Sequence, residues 1–305
     1  MPVMYINNFM YEKQKAFCYF CNIFLKMNSM QTSTNENVQL IDIREVVRKK
    51  NPKAVKYIPR FIFRLIERII HQDEINYMLS RYHDRYGLDF VNAVIDHYKI
   101  QINITGKENL PGDGRFIFAS NHPLGGFDGI VFIHVVGKIF GNVLFPVNDL
   151  LMNLRNLREL FVPVNKHGAH SKDAALQMDK AYASNSQILM FPAGLCSRKQ
   201  NKKIIDLEWK KNFITKSIKH KRDIIPVHID GRNSNFFYNL ANLRKKFRIK
   251  FNIEMVFLVH EMFKQKGKTI NVSFGKPIPY TLFDSSKSQK AWAKYVKKQS
   301  YALAG

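Results

Sequence analysis

The chain has 305 residues, of which 46% are hydrophobic and 13% aromatic, so it can bury a substantial core and is not a disordered protein. Its 48 lysines and arginines exceed its 24 aspartates and glutamates, and the formal net charge of +24 predicts an anionic partner, either nucleic acid or a membrane surface with its lipids. Three cysteines do not supply the even-numbered framework of a disulfide-rich secreted domain, which favours a reducing compartment. No apolar run reaches transmembrane length, since the nearest, residues 16–27, contains Asn22 and Lys26.

Residues 1–52 form an N-terminal lead segment whose sequence shows none of the patterns found further along the chain. We expect it to be poorly ordered, or to be mis-annotated in part, because polar sequence rich in Asn, Thr and Ser follows both Met27 and Met30, and either could be the true initiator. Function is therefore not inferred from this lead.

Residues 53–100 predict a helical addition at a membrane interface. Its first helix spans about residues 59–71, and its arginines recur every fourth residue on one face: Arg60, Arg64 and Arg68. Aromatic and aliphatic residues occupy the other faces. Two interpretations stay open, a helix lying in the membrane interface or a helix packed on the core with its arginine stripe in water. A second helical stretch, about residues 73–97, is interrupted at Gly87.

Residues 101–285 alternate between short β-rich runs and helical stretches. The β-rich runs are Phe116–Ala119, Val143–Val147, Leu160–Val164, Ile188–Phe191, Ile224–Ile229 and Ile270–Phe274. Helical stretches at 172–184 and 207–219 lie between them. This alternation predicts an α/β fold, a mostly parallel sheet flanked by helices, whose functional loops follow the carboxyl ends of strands. Residues 286–305 then predict a basic C-terminal tail.

The segment SNHPLGGFDG, residues 120–129, is a candidate general-base site. It places the His122 imidazole six residues before the Asp128 carboxylate, across a loop that contains two glycines. A carboxylate can fix the tautomer of an imidazole, and the other ring nitrogen can then remove a proton from a hydroxyl. The alternative is a glycine-rich turn whose histidine caps a strand.

A second loop, FPAGLCSRK at residues 191–199, also follows a predicted strand. A proline and a glycine shape its turn, which then presents a hydroxyl and two cations, as an anionic headgroup requires. The alternative is an ordinary surface turn. Two more segments end predicted strands with polar residues after a proline, FVPVN at 161–165 and IIPVHIDG at 224–231.

Taken in order, NHPxGGxDG, FVPVN, FPAGxxSR and IIPVHIDG resemble the four sequence blocks of the glycerolipid and lysophospholipid acyltransferase superfamily, over roughly residues 100–280. The resemblance implies acyl transfer from a thioester of acyl carrier protein or coenzyme A to a lipid hydroxyl, with His122 as general base and Asp128 as its orienting acid. Backbone N–H groups of the glycine loop or of the 191–194 turn would stabilise the oxyanion. The substrate-binding residues it implies are Asn121, Gly125, Gly126, Asn165, Phe191, Pro192, Gly194, Ser197 and Arg198.

The chain departs from the usual family pattern at three places. Five residues rather than four separate His122 from Asp128, Ala193 replaces the usual Glu after Phe-Pro, and Cys196 replaces the Arg that usually precedes the Ser. These departures resemble the O-acyltransferases of ornithine- and glycine-type aminolipids, which acylate the 3-hydroxyl of an N-(3-hydroxyacyl) amino acid. The alternative acceptor is 1-acylglycerol-3-phosphate.

The predicted enzyme needs no cofactor beyond its thioester donor, and no metal-ligand spacing is visible. Its predicted partners are the donor, a lysolipid acceptor and an anionic membrane, which places it peripherally on the cytoplasmic face of the inner membrane. The rivals are a basic membrane- or nucleic-acid-binding protein without catalysis, although no nucleic-acid motif is visible, and an inactive lipid-binding relative. Cys196 and His228 are interpreted as structural, and His167 and His170 as solvated.

Overall fold

The computed structural model describes residues 40–50, 52, 55, 58–148, 151–164, 171–249 and 252–305. These residues group into two compact units. The larger unit comprises Arg85–Ser234 and Glu261–Gly305, and the smaller one comprises the described residues up to Asp84 together with Asn235–His260.

The larger unit is built on a seven-stranded sheet with the order β1-β9-β8-β2-β5-β3-β4, and β6 and β7 form a separate hairpin. The strands are β1 (Gln101–Thr105), β2 (Phe116–Ser120), β3 (Val143–Val147), β4 (Phe161–Pro163), β5 (Gln187–Met190), β6 (Arg198–Gln200), β7 (Lys203–Ile205), β8 (Asp223–Ile229) and β9 (Thr269–Phe274). All six β-rich runs of the sequence are strands of the large sheet.

Five neighbouring strands of this sheet, β8, β2, β5, β3 and β4, run parallel to one another. The direction reverses once, between β8 and β9, and β1 then pairs parallel to β9. The predicted α/β class with a mostly parallel sheet is therefore confirmed. Because the carboxyl ends of parallel strands meet at one edge, the loops that follow β2, β5 and β8 are neighbours.

The α-helices described are α1 (Ile43–Lys50), α2 (Arg60–Ile69), α3 (Gln72–Arg81), α4 (Gly87–His97), α5 (Phe127–Phe140), α6 (Ser171–Ala183), α7 (Asn212–His220), α8 (Asn235–Lys246), α9 (Leu258–Phe263) and α10 (Gln289–Tyr301). Short 3-10 helices cover Lys107–Asn109, Leu151–Asn153, Arg155–Leu160, Ile253–Phe257 and Tyr280–Leu282.

The core of the larger unit surrounds β2, whose five residues are all buried. One apolar cluster joins this strand to its neighbours and to two helices: Ile117, Ile188 and Ile224 from the sheet, Phe213 and Ile214 from α7, and Trp292, Ala293 and Val296 from α10. The stretch predicted as a basic tail thus forms a core helix, whose amino end is capped by the Ser288 hydroxyl accepting from the Ala291 N–H at 3.2 Å. Its lysines occupy the remaining faces.

The boundary between the units differs from the predicted boundary at residue 100. Helix α4 belongs to the larger unit because its apolar side, which includes Phe90, Val91 and Val94, is buried and α4 packs against α5. Residues 235–260 return to the smaller unit, which no composition shift in the sequence indicates.

In the smaller unit, α2 has one buried and one exposed face. Phe63 and Ile66 are buried, and the Arg44 side chain of α1 is paired with Glu67 at 2.8 Å. Phe61 and Leu65 remain 65% and 51% exposed. Arg60, Arg64 and Arg68 are exposed, so the structure matches the interpretation of a helix packed on the core with its arginine stripe in water. In the described part of the chain, no helix is long and apolar enough to cross a membrane.

Candidate active site

The carboxyl edge of the parallel strands brings two of the sequence motifs into contact. Strand β2 pairs with β5, so the loop after Ser120 lies beside the loop after Met190. The His122 imidazole stacks on the Phe191 ring, with ring centroids 4.0 Å apart and planes inclined by 12°. Stacking of this kind restricts the rotation of the imidazole and fixes its plane against a rigid aromatic surface.

The glycine loop brings the two side chains of the predicted pair, His122 and Asp128, within hydrogen-bonding distance. The His122 Nδ1 atom lies 2.9 Å from Asp128 Oδ2, and this oxygen also accepts hydrogen bonds from the N–H groups of Leu124 at 2.8 Å and Gly125 at 3.2 Å. Gly125 has a φ of +79°, which favours glycine and lets the loop turn back over the carboxylate. The five-residue spacing therefore supplies two amide donors for the acid.

Asp128 is fully buried in the first turn of α5, where a negative charge also complements the helix dipole. Burial alone would raise the pKa of this carboxyl, but the charge and hydrogen bond of His122, together with the amides of Leu124 and Gly125, hold its pKa below the ordinary value. An ionised carboxylate only accepts hydrogen bonds, so Nδ1 of His122 carries the proton and Nε2 is left as the basic nitrogen.

A second buried carboxylate, Asp206, holds the backbone of the histidine. Its Oδ1 accepts from the Ser197 hydroxyl at 2.6 Å and from the His122 N–H at 3.2 Å, and its Oδ2 accepts from the Trp209 indole at 2.8 Å. The Ser197 N–H in turn donates to the His122 carbonyl at 2.7 Å. His122 is thereby fixed on both sides of its Cα atom, and Ser197 is the only one of these partners that the sequence motifs indicate.

The same aspartate is tied to the C-terminal helix. The Asp206 N–H donates to the Tyr301 hydroxyl at 2.8 Å, and the Lys297 ammonium donates to the Asp206 carbonyl at 2.8 Å. Burial raises the pKa of Tyr301 well above its ordinary value, so the phenol stays neutral. Helix α10 is therefore part of the framework that positions the loop.

The predicted substrate-binding residues occupy different surroundings. Asn121 is buried and joins β2 to β8, because its amide donates to the Ile229 carbonyl at 2.9 Å and accepts from the Ile229 N–H at 2.7 Å. Gly126 is exposed and precedes α5, whereas Pro192 is buried and Gly194 is exposed with a φ of +69°. Asn165 lies outside the described residues.

Arg198 is buried rather than presented to solvent. Its Nη1 atom lies 2.9 Å from the Cys196 carbonyl oxygen and 2.7 Å from the Cys196 sulfur. Cys196 itself is buried, and its placement against this guanidinium accords with a structural residue. The cation that the sequence assigns to the acceptor thus contributes to the shape of the turn.

His228 is buried at the end of β8, with Nε2 3.2 Å from Asp230 Oδ1, and burial lowers its pKa despite the opposing charge of Asp230. The sequence predicts a satisfied core or rim histidine, but the Nδ1 atom of His228 is buried without a hydrogen-bond partner in the described part of the chain. His167 and His170 lie outside the described residues. Within those residues, no three His, Cys, Asp or Glu side chains are grouped so that they could hold a metal ion.

We expect Asp206→Asn to lower kcat for the reaction at His122 roughly ten- to a hundredfold, because an amide nitrogen would replace one of the two acceptor oxygens and shift the histidine backbone. The free energy of unfolding should also fall, by about 1–3 kcal/mol. Steady-state kinetics normalised to folded protein would measure the first effect. Asp179→Asn, which alters a carboxylate paired with Lys216 on the surface, is the matched control and should leave kcat unchanged.

Comparison with known proteins places the chain in a family. A family model described as "Acyltransferase" matches residues 45–305. A lyso-glycine lipid O-acyltransferase of Bacteroides thetaiotaomicron is 51% identical over 271 residues, which cover 88% of this chain and 100% of the relative. A lyso-glycine lipid O-acyltransferase of Phocaeicola vulgatus is 48% identical over 271 residues, which cover 88% of this chain and 97% of that protein.

Among solved structures, the 1-acyl-sn-glycerophosphate acyltransferase PlsC of Thermotoga maritima aligns with a TM-score of 0.47 and 15% identity, over 84% of this chain and 81% of that chain. The family match and the two relatives confirm the resemblance found in the sequence blocks. The protein is an acyltransferase and belongs to this acyltransferase family.

Proposed function

We propose that the protein is a lyso-glycine lipid O-acyltransferase, which transfers a fatty acyl group from a thioester to the 3-hydroxyl of an N-(3-hydroxyacyl)glycine. The observation that carries the proposal is the His122–Asp128 pair, an imidazole whose Nδ1 atom lies 2.9 Å from a buried carboxylate, in a chain about half identical to two enzymes of that name. An unactivated alcohol needs such a base to become a nucleophile.

In the proposed reaction, Nε2 of His122 takes the proton of the acceptor hydroxyl while the oxygen attacks the thioester carbonyl. The tetrahedral intermediate then collapses by breaking the carbon–sulfur bond, and the imidazolium returns its proton to the leaving thiolate. The products are the O-acyl lipid and a free thiol, and no acyl-enzyme is formed. Asp128 stabilises the imidazolium through Nδ1.

The oxyanion of that intermediate needs hydrogen-bond donors. The amides of Leu124 and Gly125 donate to Asp128, and the Gly194 amide donates to the Phe191 carbonyl at 2.9 Å. The N–H groups of Gly126 and Phe127 open the first turn of α5, where helix geometry provides no acceptor. We assign the oxyanion to this turn.

Two features of the Phe191 loop favour a carboxylate acceptor over a phosphate acceptor. Ala193 and Cys196 stand where the family usually has an acid and an arginine, and both are buried. The Arg198 guanidinium is directed to the Cys196 carbonyl. A dianionic phosphate usually requires several cationic donors, whereas a carboxylate can be bound by fewer.

The test is an assay of purified protein with a fatty acyl thioester and three acceptors: lyso-glycine lipid, its N-acyl analogue without the 3-hydroxyl, and 1-acylglycerol-3-phosphate. We expect thiol release and a diacylated product with the first acceptor alone. Transfer to 1-acylglycerol-3-phosphate in preference to the glycine lipid would refute the proposed acceptor. Thiol release that is equally fast without any acceptor would refute the transfer itself.

We also propose that the smaller unit contacts an anionic membrane, as expected for an enzyme of lipids at the cytoplasmic face of the inner membrane. Seven of the thirteen exposed large apolar side chains in the described chain belong to this unit. Phe61 and Leu65 lie one turn apart on α2. Phe236 and Leu243 on α8, with Phe247 directly after this helix, follow the i, i+7, i+11 spacing of one helical stripe.

Cations accompany both apolar stripes: Arg60, Arg64 and Arg68 on α2, and Lys245, Lys246 and Arg248 at the end of α8. An apolar stripe flanked by lysine and arginine is typical of helices that lie in the headgroup region of a bilayer. The two helices are thus suited to hold the enzyme where its lipid acceptor resides.

Replacing Phe61 and Phe247 together with serine should weaken binding to vesicles that contain an anionic lipid roughly tenfold or more, because two aromatic side chains no longer enter the bilayer. Vesicle co-sedimentation at two salt concentrations would measure this, and binding should weaken at higher salt. Leu176→Ser, at a 56% exposed position of the larger unit, is the matched control. Equal loss of binding in the control would contradict the proposal that the exposed side chains of α2 and α8 contact the membrane.

A further inference from the structure

Exposed lysines are concentrated on the larger unit along helix α10 and at the β6–β7 hairpin. Helix α10 contains four lysines and no acidic residue. Three of them, Lys290, Lys294 and Lys298, are exposed and recur every fourth residue, so they form one row on the helix. The hairpin adds the exposed Lys202 and Lys203. These five lysines form what is called below the basic surface.

The two parts of the basic surface are joined by residues 206–208, which follow the hairpin and lie along α10. The Lys297 ammonium donates to the carbonyl oxygens of residues 206 and 207, at 2.8 and 3.0 Å. One residue further along, Glu208 pairs with Lys290 at 2.8 Å. The hairpin and the helix are therefore neighbours on the larger unit.

The basic surface adjoins the groups that hold the candidate base. Tyr301 follows Lys294 by seven residues, so the two lie on the same face of α10. The Tyr301 hydroxyl accepts from the Asp206 N–H at 2.8 Å, and the Asp206 carboxylate accepts from the His122 N–H at 3.2 Å. The row of lysines thus ends two hydrogen bonds away from the backbone of His122.

The positive charge of this part of the molecule is almost unopposed. Residues 199–211 and 285–305 expose eight lysines but only one acidic side chain, that of Glu208. Lys294 and Lys298 form no ion pair with the acids of the described part of the chain. An anionic partner would therefore meet cations that no carboxylate of the enzyme already neutralises.

An acidic protein fits the basic surface better than a bilayer does. Helices α2 and α8 combine their cations with exposed Phe and Leu side chains, whereas no large apolar side chain of α10 or of the hairpin is exposed. A helix that lies in the headgroup region uses such apolar side chains to enter it. A row of cations alone is suited to an acidic protein surface, whose opposite charge steers association.

We propose that the basic surface binds acyl carrier protein, an acidic protein that carries the fatty acyl thioester. This inference rests on the proposed function, in which a thioester must reach His122. The row from Lys290 to Lys298 is about 12 Å long, which suits an extended acidic face of a partner. Coenzyme A carries its phosphates at one end and would require a compact group of cations instead. A carrier bound beside Tyr301 could bring the thioester to the base on its flexible arm.

The test compares the wild type with the double variant Lys294→Glu and Lys298→Glu in steady-state kinetics with lyso-glycine lipid. We expect the KM for acylated carrier protein to rise roughly tenfold or more at low salt, because two attractive charges become repulsive. The kcat and KM for the acyl thioester of N-acetylcysteamine, which has no carrier, should stay unchanged. Lys266→Glu with Lys268→Glu makes the same change of charge in an exposed segment before β9 and should alter none of these constants.

Calorimetry of the enzyme with the carrier protein measures binding without turnover, and the double variant should bind roughly tenfold or more weakly. The wild-type affinity should fall as salt is added. The same affinity in both proteins, no binding by the wild type, or an equal rise in the KM for acyl-coenzyme A would overturn the inference. Weaker binding to anionic vesicles with unchanged affinity for the carrier would identify a membrane surface instead. Lysine-dependent binding of the carrier without transfer to any acceptor would support the basic surface and refute the proposed function.

Discussion

Replacing His122 with alanine is expected to lower kcat for acyl transfer roughly 10²- to 10⁴-fold, the usual contribution of a general base. The reason lies in the geometry: Nδ1 is held 2.9 Å from Asp128, the ring is stacked on Phe191, and Nε2 is left to receive the proton of the acceptor. Without the imidazole, the hydroxyl must lose its proton to water. The KM for the donor should change little, because the ring contributes mainly in the transition state.

His83→Ala is the control for this variant. His83 is exposed in the smaller unit, with its Nδ1 2.9 Å from the Ser80 carbonyl oxygen, and its replacement should leave kcat unchanged. Thermal unfolding of both variants would show whether the loss of the Phe191 stacking partner destabilises the fold. A folded His122→Ala protein with the wild-type kcat would contradict the assignment of the base.

Asp128→Asn should also lower kcat, by roughly 10²- to 10⁴-fold, even though the side chain keeps its size. The amide has one acceptor oxygen where the carboxylate has two, and it cannot stabilise an imidazolium. Because the Leu124 and Gly125 amides and His122 share Oδ2, an amide nitrogen there would face three donors. Reversal of the amide would instead place that nitrogen against the Gly129 N–H, which donates to Oδ1 at 3.0 Å.

This substitution should also destabilise the protein in a pH-dependent way. The pKa of Asp128 is depressed in the fold, so the stability it contributes is complete above the unfolded-state value of about 3.9 and is lost as the pH falls through the lower folded value. Urea unfolding should show a wild type more stable than Asp128→Asn by about 3–5 kcal/mol at pH 7. The difference should shrink below about pH 4. A difference that is constant with pH would contradict the depressed pKa.

The sequence indicates most of the large sheet but misses its polar edge. The apolar runs at β2, β5 and β8 form strands because these central parallel strands are buried on both faces and consist mainly of continuous apolar residues. Strand β1, Gln101–Thr105, is an edge strand that is largely exposed, so its composition carries no such signal. Each strand of the β6–β7 hairpin has only three residues, which is below the length at which alternation can be recognised, and β6 consists of polar and charged residues alone.

The helix predicted at residues 207–219 begins instead at Asn212. Its expected first turn instead uses the Lys210 N–H for a tertiary hydrogen bond to the Pro192 carbonyl and the Trp209 indole for a local one to Asp206, and these bonds override the helical preference. Separation along the chain explains which residues of the site the sequence could indicate. His122 and Asp128 are only six residues apart in one motif, so their spacing reveals them, whereas Asp206 is 84 residues from His122 and belongs to no recognised block.

The hydrogen bond between Tyr301 and Asp206 has a consequence for the order in which the protein matures. Residues 122, 206 and 301 leave the ribosome far apart in time, and the Tyr301 hydroxyl reaches the Asp206 amide across 95 residues. Strands β2, β5 and β8 can pair once residue 229 has emerged, but the carboxylate that holds His122 gains its last supports only after α10 has been synthesised. In a nascent chain the central strands β2, β5 and β8 are therefore available before α10, and the last hydrogen bonds to Asp206 depend on α10.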